Sequence, residues 1–197
     1  MSLYILTLAE MKAELGIDDT DDDAVLTEWM EGLQKRFDAY CERTLLYSAS
    51  VTEYHDGGER WLLLDRYPVE SISSIIIDQD REWDSEDALT EDEDYVLNAD
   101  RGRIAYGTGE YLWTAGFQNI RVVYAGGYVA CDGSPTGSQV AMPYDLRLAM
   151  RLQVGFLWRN RRNLGAQAVS GQGVTVNLAP VRLLPEVREI LTLYRRV

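Results

Sequence analysis

Residues 6–29 read LTLAEMKAELGIDDTDDDAVLTEW and place five aspartates within residues 18–23, between two segments of helical periodicity. The first segment, Leu8–Leu15, predicts a short helix that ends at Gly16, because glycine accepts the left-handed conformation common at helix ends. After the aspartates, apolar residues recur at helical spacing over residues 24–45. The aspartates therefore lie at the junction of two predicted helices.

The aspartate cluster has two alternative interpretations, a calcium loop or a helix start. An EF-hand loop that begins at Asp19 needs a glycine and a glutamate where this chain has Ala24 and Met30. Thr20 or Asp21 instead makes a good N-cap, and further carboxylates favour the positive end of the helix dipole. We therefore interpret the cluster as a helix start without a specific metal.

The middle of the chain changes from helical spacing to the alternation that is typical of β-strands. The predicted strands are separated by turn residues and comprise residues 51–55, 61–64, 71–77, 95–98, 103–106 and 119–124. The first two are expected to form a hairpin around the glycine turn 56–58, and the fourth and fifth to form a second hairpin. Residues 78–94 hold ten acids and one base, and they predict a solvated loop.

The C-terminal part returns to helical spacing after Pro143. The helix predicted over residues 144–162 is apolar almost all round, yet it carries Arg147, Arg151 and Arg159 on one i, i+4 stripe. Like charges at this spacing are unfavourable without an anion. We therefore expect this helix to contact another subunit; the alternative is an ordinary core helix with a solvated arginine edge.

Two further segments complete the chain. Residues 165–177 are rich in glycine and predict a flexible loop or a short β-arm. Residues 185–196 predict a last helix that ends in two arginines, which favour the negative end of its dipole.

Together these patterns predict an α+β fold that is mainly an α-helical bundle with an inserted antiparallel β-rich domain. The bundle consists of the N-terminal helices plus two C-terminal helices. Residues 1–46 and 140–197 form the predicted helical core, and residues 47–139 form the inserted domain.

The net charge of −13 is divided unevenly along the chain. Residues 1–100 hold 27 acids and 7 bases, whereas residues 101–197 hold 5 acids and 12 bases. Such asymmetry suggests a molecule that meets copies of itself, or different partners, at opposite surfaces; solvated faces without a partner are the alternative. The acidic total argues against non-specific binding of nucleic acid by the whole surface.

Residue types that carry chemistry are few. His55 is the single histidine, and Cys41 and Cys131 are expected to remain reduced thiols. The sequence has no phosphate-binding loop, no metal-ligand spacing and no Ser/His/Asp set, and no apolar run approaches the roughly 18–20 residues that cross a bilayer. We therefore expect no catalytic residue, no cofactor, no metal and no membrane association, and we predict that the protein is not an enzyme.

Three groups of segments, in a fixed order, carry a family resemblance. The first is LTLAEMKAELGIDDTDDDAVLTEW followed by YCERTL; the second comprises RWLLLDRYPVESISSIIID, DYVLNADRGRIAY and NIRVVYAGGY; the third runs from MPYDLRLAM through WRNRRNLGAQAVSGQGVTVNL to LPEVREILTLYRR. In this order they resemble the head–tail connector (adaptor or head-completion) proteins of tailed bacteriophages.

The resemblance implies a structural protein of the virion neck that assembles as a ring, typically dodecameric, beneath the portal. Such a ring extends the channel, through which genomic DNA passes without sequence-specific binding, and presents a platform to the next neck or tail-completion protein. Assembly would take place in the host cytoplasm. An acidic DNA-mimic or protein-binding inhibitor is the alternative function, and a carboxylate-dependent hydrolase is a weaker one.

The arginine-rich C-terminal region is the expected contact surface, because its stripe of like charge calls for an acidic neighbour or portal surface. The candidate contact residues are Arg147, Arg151, Arg159, Arg161, Arg162, Arg188, Arg195 and Arg196.

Overall fold

The computed structural model describes residues 5–83, 88–107, 111–161, 169–171, 174–176 and 182–196. The chain divides into two compact units. We call Met1–Glu42 with Met142–Val197 the helical unit, and Arg43–Ala141 the strand unit.

Helices and strands follow one another along both units. In chain order they are α1 (Leu8–Leu15), α2 (Asp23–Cys41), β1 (Ser48–Gly57), β2 (Trp61–Leu63), β3 (Val69–Ile77), β4 (Tyr95–Asn98), β5 (Arg103–Tyr106), β6 (Gly116–Gly126), β7 (Tyr128–Val129), β8 (Val140–Ala141), α3 (Tyr144–Arg159), β9 (Val169–Gly171), β10 (Val174–Val176) and α4 (Pro185–Thr192).

The start of α2 differs from its prediction. Its N-cap is Asp22, which makes no side-chain cap hydrogen bond, so the predicted cap at Thr20 or Asp21 is wrong. Instead, Nζ of Lys12 donates a hydrogen bond at 2.6 Å to Oδ1 of Asp23, the first residue of α2. This ion pair fastens α1 to the start of α2 and replaces a local cap with a contact between helices.

Apolar faces of the four helices form the core of the helical unit. The buried residues of α2 and α4 recur at helical spacing and are Leu26, Met30, Leu33, Phe37, Cys41, Val187 and Leu191. The indole rings of Trp29 and Trp158 meet edge to face, with centroids 6.3 Å apart, and they join α2 to α3. The burial of these residues follows the periodicity that predicts the helices.

In the strand unit, β6 lies between β1 and β3 in an antiparallel sheet, and β5 lies between β2 and β4 in a second one. The second predicted hairpin, β4–β5, is therefore confirmed, but the predicted pairing of β1 with β2 is wrong. β1 has ten residues and matches the eleven of β6, whereas β2 has only three. The longer partner satisfies more of the backbone groups of β1.

Apolar side chains from both sheets form one core in the strand unit. Its buried members are Leu62, Leu64, Tyr67, Val69, Ile75, Tyr95, Ile104, Trp113, Ile120, Val122 and Tyr124. Two parallel pairings lie at the margin of this unit. Leu46 forms a parallel bridge with Tyr128, and β7 pairs with β8 in parallel.

The predicted fold class is wrong in the proportion of helix to strand. Helices and strands occupy about equal parts of the described chain, so the protein is not mainly a helical bundle. The reason is that the strand unit contains two three-stranded antiparallel sheets and a core of its own, so strands contribute as much to the described chain as helices do. Over the described residues, no helix has the length and apolar character needed to cross a membrane.

Candidate assembly surfaces

Glu10 is the centre of an ion cluster in the helical unit. One carboxylate oxygen, Oε2, accepts hydrogen bonds from the backbone N–H and the hydroxyl of Thr7 at 3.1 and 2.9 Å, which completes a capping box at the start of α1. The other oxygen accepts a hydrogen bond from Nη2 of Arg147 and lies 3.7 Å from Nη2 of Arg151. One carboxylate thus caps α1, pairs with Arg147 and lies close to Arg151, so it offsets part of the positive charge of α3.

This ion cluster supplies an anion for the arginine stripe of α3. The like charges of Arg147 and Arg151 have an anion within their own unit, so their spacing alone does not require a partner from another subunit. Arg159 is exposed at the end of the stripe, beyond the ion cluster. Of the three arginines, Arg159 is therefore the one that the structure leaves most accessible to a partner.

The arginines that follow α3 are held differently. The guanidinium of Arg161 lies 4.0 Å from the centre of the Trp158 ring, and its Nη1 donates to the carbonyl oxygen of Trp158 at 3.1 Å. Stacking of this kind fixes a cation while leaving its outer face open. Arg162 lies outside the described residues.

The C-terminal arginines contact the end of α2. Arg195 forms an ion pair with Glu42, and the backbone N–H of Arg196 donates to the carbonyl oxygen of Cys41 at 2.8 Å. Both contacts fasten the segment after α4 to the end of α2. These arginines therefore have a structural role within the chain, and their role in a subunit contact stays a prediction.

Arg36, Arg182 and Arg188 line a shallow groove of about 350 Å³ on the helical unit. We call it the arginine groove; its remaining lining residues are Ala39, Tyr40 and Leu183. Of these three arginines, only Arg188 is among the contact residues predicted from the sequence. The helical spacing of Arg36 and Tyr40 on α2 is a signal that could have extended the set, whereas nothing local points to Arg182.

Gln153 explains how Arg182 reaches this groove. The side chain of Gln153 is fully buried in α3; its Nε2 donates to the carbonyl oxygen of Arg182 at 3.3 Å, and its Oε1 accepts from the N–H of Leu184 at 2.9 Å. A buried amide is satisfied only when such partners are in place. Gln153 thus fixes the segment that leads into α4.

An apolar stripe on α3 is exposed. Tyr144, Leu148 and Leu152 follow one another at i, i+4 spacing, and Tyr144 retains 83% of its accessible surface. The opposite face of α3 is buried, so the all-round apolar character of this helix is only partly used inside its own unit. Exposed apolar surface of this kind marks contact sites for other proteins.

The strand unit contains a buried polar network around Glu53. The carboxylate accepts hydrogen bonds from the hydroxyl of Tyr124 and from the N–H of Asp65 at 3.1 Å, and it lies 3.1 Å from Nε2 of His55. Burial alone would raise the pKa of Glu53, but the contacts with His55 and Tyr124 outweigh it and hold the pKa below its ordinary value. Burial and the neighbouring Glu53 in turn raise the pKa of the Tyr124 phenol. This network joins β1 to β6 and serves the stability of the sheet.

The acidic run 78–94 partly satisfies its own backbone. Asp78 accepts hydrogen bonds from the N–H groups of Trp83 and Asp80, at 2.7 and 3.1 Å. The bond from Trp83, followed by the hydrogen bond with the side chain of Asp80, lowers the pKa of Asp78 to about 2. Asp94 accepts from the N–H of Thr90 at 2.8 Å. These carboxylates shape the loop that carries them. In the part of the chain that the structure describes, no three His, Cys, Asp or Glu side chains are grouped to hold a metal ion.

The sequence profile of a protein family described as Head completion protein matches residues 4–197. The chain belongs to the head completion protein family. The resemblance noted in the sequence is therefore confirmed, and the protein is a structural component of the head–tail connector. No curated protein sequence matches this head completion protein significantly.

Chains of similar fold occur in solved structures of gene transfer agent (GTA) particles. One is described as the neck of an empty GTA particle computed with C6 symmetry, and its chain has a TM-score of 0.60 and 15% identity over 98% of this chain and 90% of that chain. A chain in the virion of a native GTA particle has a TM-score of 0.59 and 16% identity, over 98% of this chain and 90% of that chain. A chain in the neck of a native GTA particle computed with C12 symmetry has a TM-score of 0.56 and 15% identity, over 96% of this chain and 88% of that chain. At such identity, the similarity shows that this head completion protein shares their fold.

Proposed function

We propose that this head completion protein assembles as a ring beneath the portal, where it joins the head to the tail and extends the DNA channel. The family match over residues 4–197 is the observation that carries the proposal. It is supported by the fold shared with chains from necks computed with C6 and C12 symmetry. We take twelve copies as the ring number because of the second of these symmetries.

A ring requires two different surfaces on each subunit, because each copy contacts one neighbour with one face and the other neighbour with another. The apolar stripe of α3 and the accessible arginines Arg159 and Arg188 provide candidate surfaces on the helical unit. The next neck or tail-completion protein and the portal would occupy faces that the ring leaves open. The genomic DNA would pass through the channel, and this role requires no catalysis.

The inhibitor alternative loses support from the geometry of the acidic run. A DNA mimic needs carboxylates that project outward on a rigid surface, as phosphates do. Here Asp78 and Asp94 accept hydrogen bonds from the backbone of their own loop. We therefore keep the connector as the proposed function.

The test is complementation of a particle whose gene for this protein has been deleted. We expect the deletion to give DNA-filled heads that leak or lack tails in electron micrographs, and the wild-type chain to restore tailed particles. Deleted particles that retain both DNA and tails would refute the connector role.

The contact residues are tested in the same assay. We expect Arg159→Glu and Arg188→Glu to reduce tailed particles without changing the melting temperature much, because both side chains are exposed. Arg101→Glu, at an exposed turn of the strand unit, is the matched control. If both variants restore normal particles, the arginines are solvated edges and the contact surface lies elsewhere.

A further inference from the structure

The arginine groove combines positive charge with an apolar wall. Arg182 and Arg188 are exposed in its lining and Arg36 is half-buried, no lining residue is acidic, and Ala39 and Tyr40 supply apolar surface. Arginine presents several N–H donors in a planar fork that matches a carboxylate. The groove therefore suits a ligand that carries several carboxylates.

The same unit carries a segment with this chemistry, the turn of residues 18–23, which we call the aspartate turn. Asp18, Asp19 and Asp21 are exposed, and among the described contacts the turn meets one basic side chain, where Lys12 binds Asp23. A shallow cleft of about 390 Å³ with a mainly apolar lining lies beside this turn. The carboxylates and the cleft together form a surface that an arginine-bearing neighbour can cover.

The aspartate turn and the arginine groove lie at opposite ends of α2. Asp23 is the first residue of this helix, and Arg36 lies in its second half. Thirteen residues of helix separate them, which is about 20 Å at a rise of 1.5 Å per residue. This distance is far longer than an arginine side chain, so the groove of one molecule cannot bind the turn of the same molecule.

We propose that the arginine groove of one copy binds the aspartate turn of the next copy. The proposal rests on the ring proposed above and identifies one of its contacts. Two complementary surfaces at opposite ends of one helix give a head-to-tail contact, and repetition of such a contact around an axis closes a ring. It also gives a use to the charge asymmetry between the two halves of the sequence.

The run 78–94 is the other acidic segment of the chain. Its Asp78 and Asp94 accept hydrogen bonds from their own backbone, as Asp19 does in the aspartate turn. This run is therefore a competing occupant of the groove, and a cross-link that starts from Asp21 distinguishes it from the turn. Phosphates of the DNA or an acidic face of the portal are the remaining possible ligands of the groove. The experiments below distinguish them from a second copy.

The first experiment is disulfide cross-linking in assembled particles. The variant Asp21→Cys/Arg188→Cys, in a Cys131→Ser background, is supplied to particles that lack the wild-type chain. A disulfide needs Cα atoms within about 7 Å, so the two cysteines cannot join within one molecule and can only link copies. The single variants Asp21→Cys and Arg188→Cys in the same background are the controls.

Oxidation of these particles should give a ladder of linked chains on a non-reducing gel, and reduction should return a single band. Particles that contain the protein and retain their tails but give no ladder would overturn the contact while leaving the proposed function intact. Tailed particles from which the protein is absent would instead overturn the proposed function.

The second experiment exchanges the charges. A groove variant, Arg182→Glu/Arg188→Glu, and a turn variant, Asp18→Arg/Asp21→Arg, should each fail to give tailed particles when supplied alone. Supplied together, they should restore tailed particles, because each groove then meets a turn of opposite charge in an alternating ring.

Failure of both variants without recovery in the mixture would overturn the proposal, provided that circular dichroism shows both to be folded. A defect confined to the groove variant would also overturn it, since that result assigns the groove to the portal or to DNA. The cross-linking experiment is decisive if either variant is unfolded, because its substitutions introduce no opposite charge.

Discussion

The ion cluster around Glu10 can be dissected by comparing Glu10→Gln with Glu10→Ala. Glutamine keeps an oxygen for the backbone N–H of Thr7 but has no charge for Arg147 and Arg151, whereas alanine removes both functions. The glutamine variant therefore measures the ionic contribution, and the further loss in the alanine variant measures the cap.

The expected magnitudes follow from exposure. The side chains of Glu10 and Arg147 are 31% and 19% exposed, so a charge-assisted bond of about 1.5–3 kcal/mol is reduced by solvent to about 1 kcal/mol. The repulsion between Arg147 and Arg151 that is no longer compensated adds about 0.2–0.5 kcal/mol. Glu10→Gln should thus lower the free energy of unfolding by roughly 1–1.5 kcal/mol, and loss of the cap should add about 0.5 kcal/mol in Glu10→Ala.

Urea unfolding followed by far-ultraviolet circular dichroism measures both variants, because the helical signal reports on the helical unit. The deficit of Glu10→Gln should shrink at high salt, which screens partly exposed charges. In a double-mutant cycle, Arg147→Met should reduce the effect of Glu10→Gln to the smaller contribution of Arg151. A Glu10→Gln variant with wild-type stability at low and high salt would refute this reasoning.

Three further predictions concern the strand unit. Glu53→Gln should lower the free energy of unfolding by about 1 kcal/mol at pH 7. Because the folded pKa of Glu53 lies below its ordinary value of 4.5, the difference between variant and wild type should persist above about pH 4.5 and vanish as the pH falls through the folded pKa. Urea unfolding at a series of pH values measures this difference. Gly57→Ala should cost about 1–3 kcal/mol in a thermal melt, because its Cβ would overlap the carbonyl oxygen of Thr114; unchanged stability would contradict the close approach. Deleting residues 48–139 and joining the ends with a short linker should leave a helical product that melts cooperatively; an unfolded product would show that the two units share one core.

The parts of the fold that the sequence predicts are those determined by local chemistry. α1 ends at Gly16, whose φ of 69° is left-handed, and the β4–β5 hairpin turns at Gly102 with a φ of 59°. The partner of β1 is not local, because its register with β6 joins Val51 to Tyr124 across the whole strand unit. Alternating side chains predict that a strand forms, but they do not determine which strand it pairs with.

In the candidate surfaces too, the local sequence predicts single residues but not the distant residues that they contact. The stripe of Arg147 and Arg151 is visible in the sequence, but its anion is Glu10, which is far away in the chain and becomes a neighbour only through packing of α1 on α3. The arginine groove brings together residues of α2, of the segment before α4 and of α4 itself. No periodicity predicts such a grouping, because it depends on how three separate segments pack.

The parallel strands at the margin of the strand unit also have an evolutionary consequence. Leu46 pairs with Tyr128, and Tyr128 with Val140, so the places where the chain enters and leaves the unit are separated by two strand spacings, about 10 Å. Segments with neighbouring ends can be inserted into a host fold with little disturbance. A gap of about 10 Å is bridged by roughly three extended residues, so a gene in which this unit is exchanged as a block needs a joint of only a few codons. Mutation can lengthen or recharge the loops of the block without changing the gap that the flanking helical segments must span.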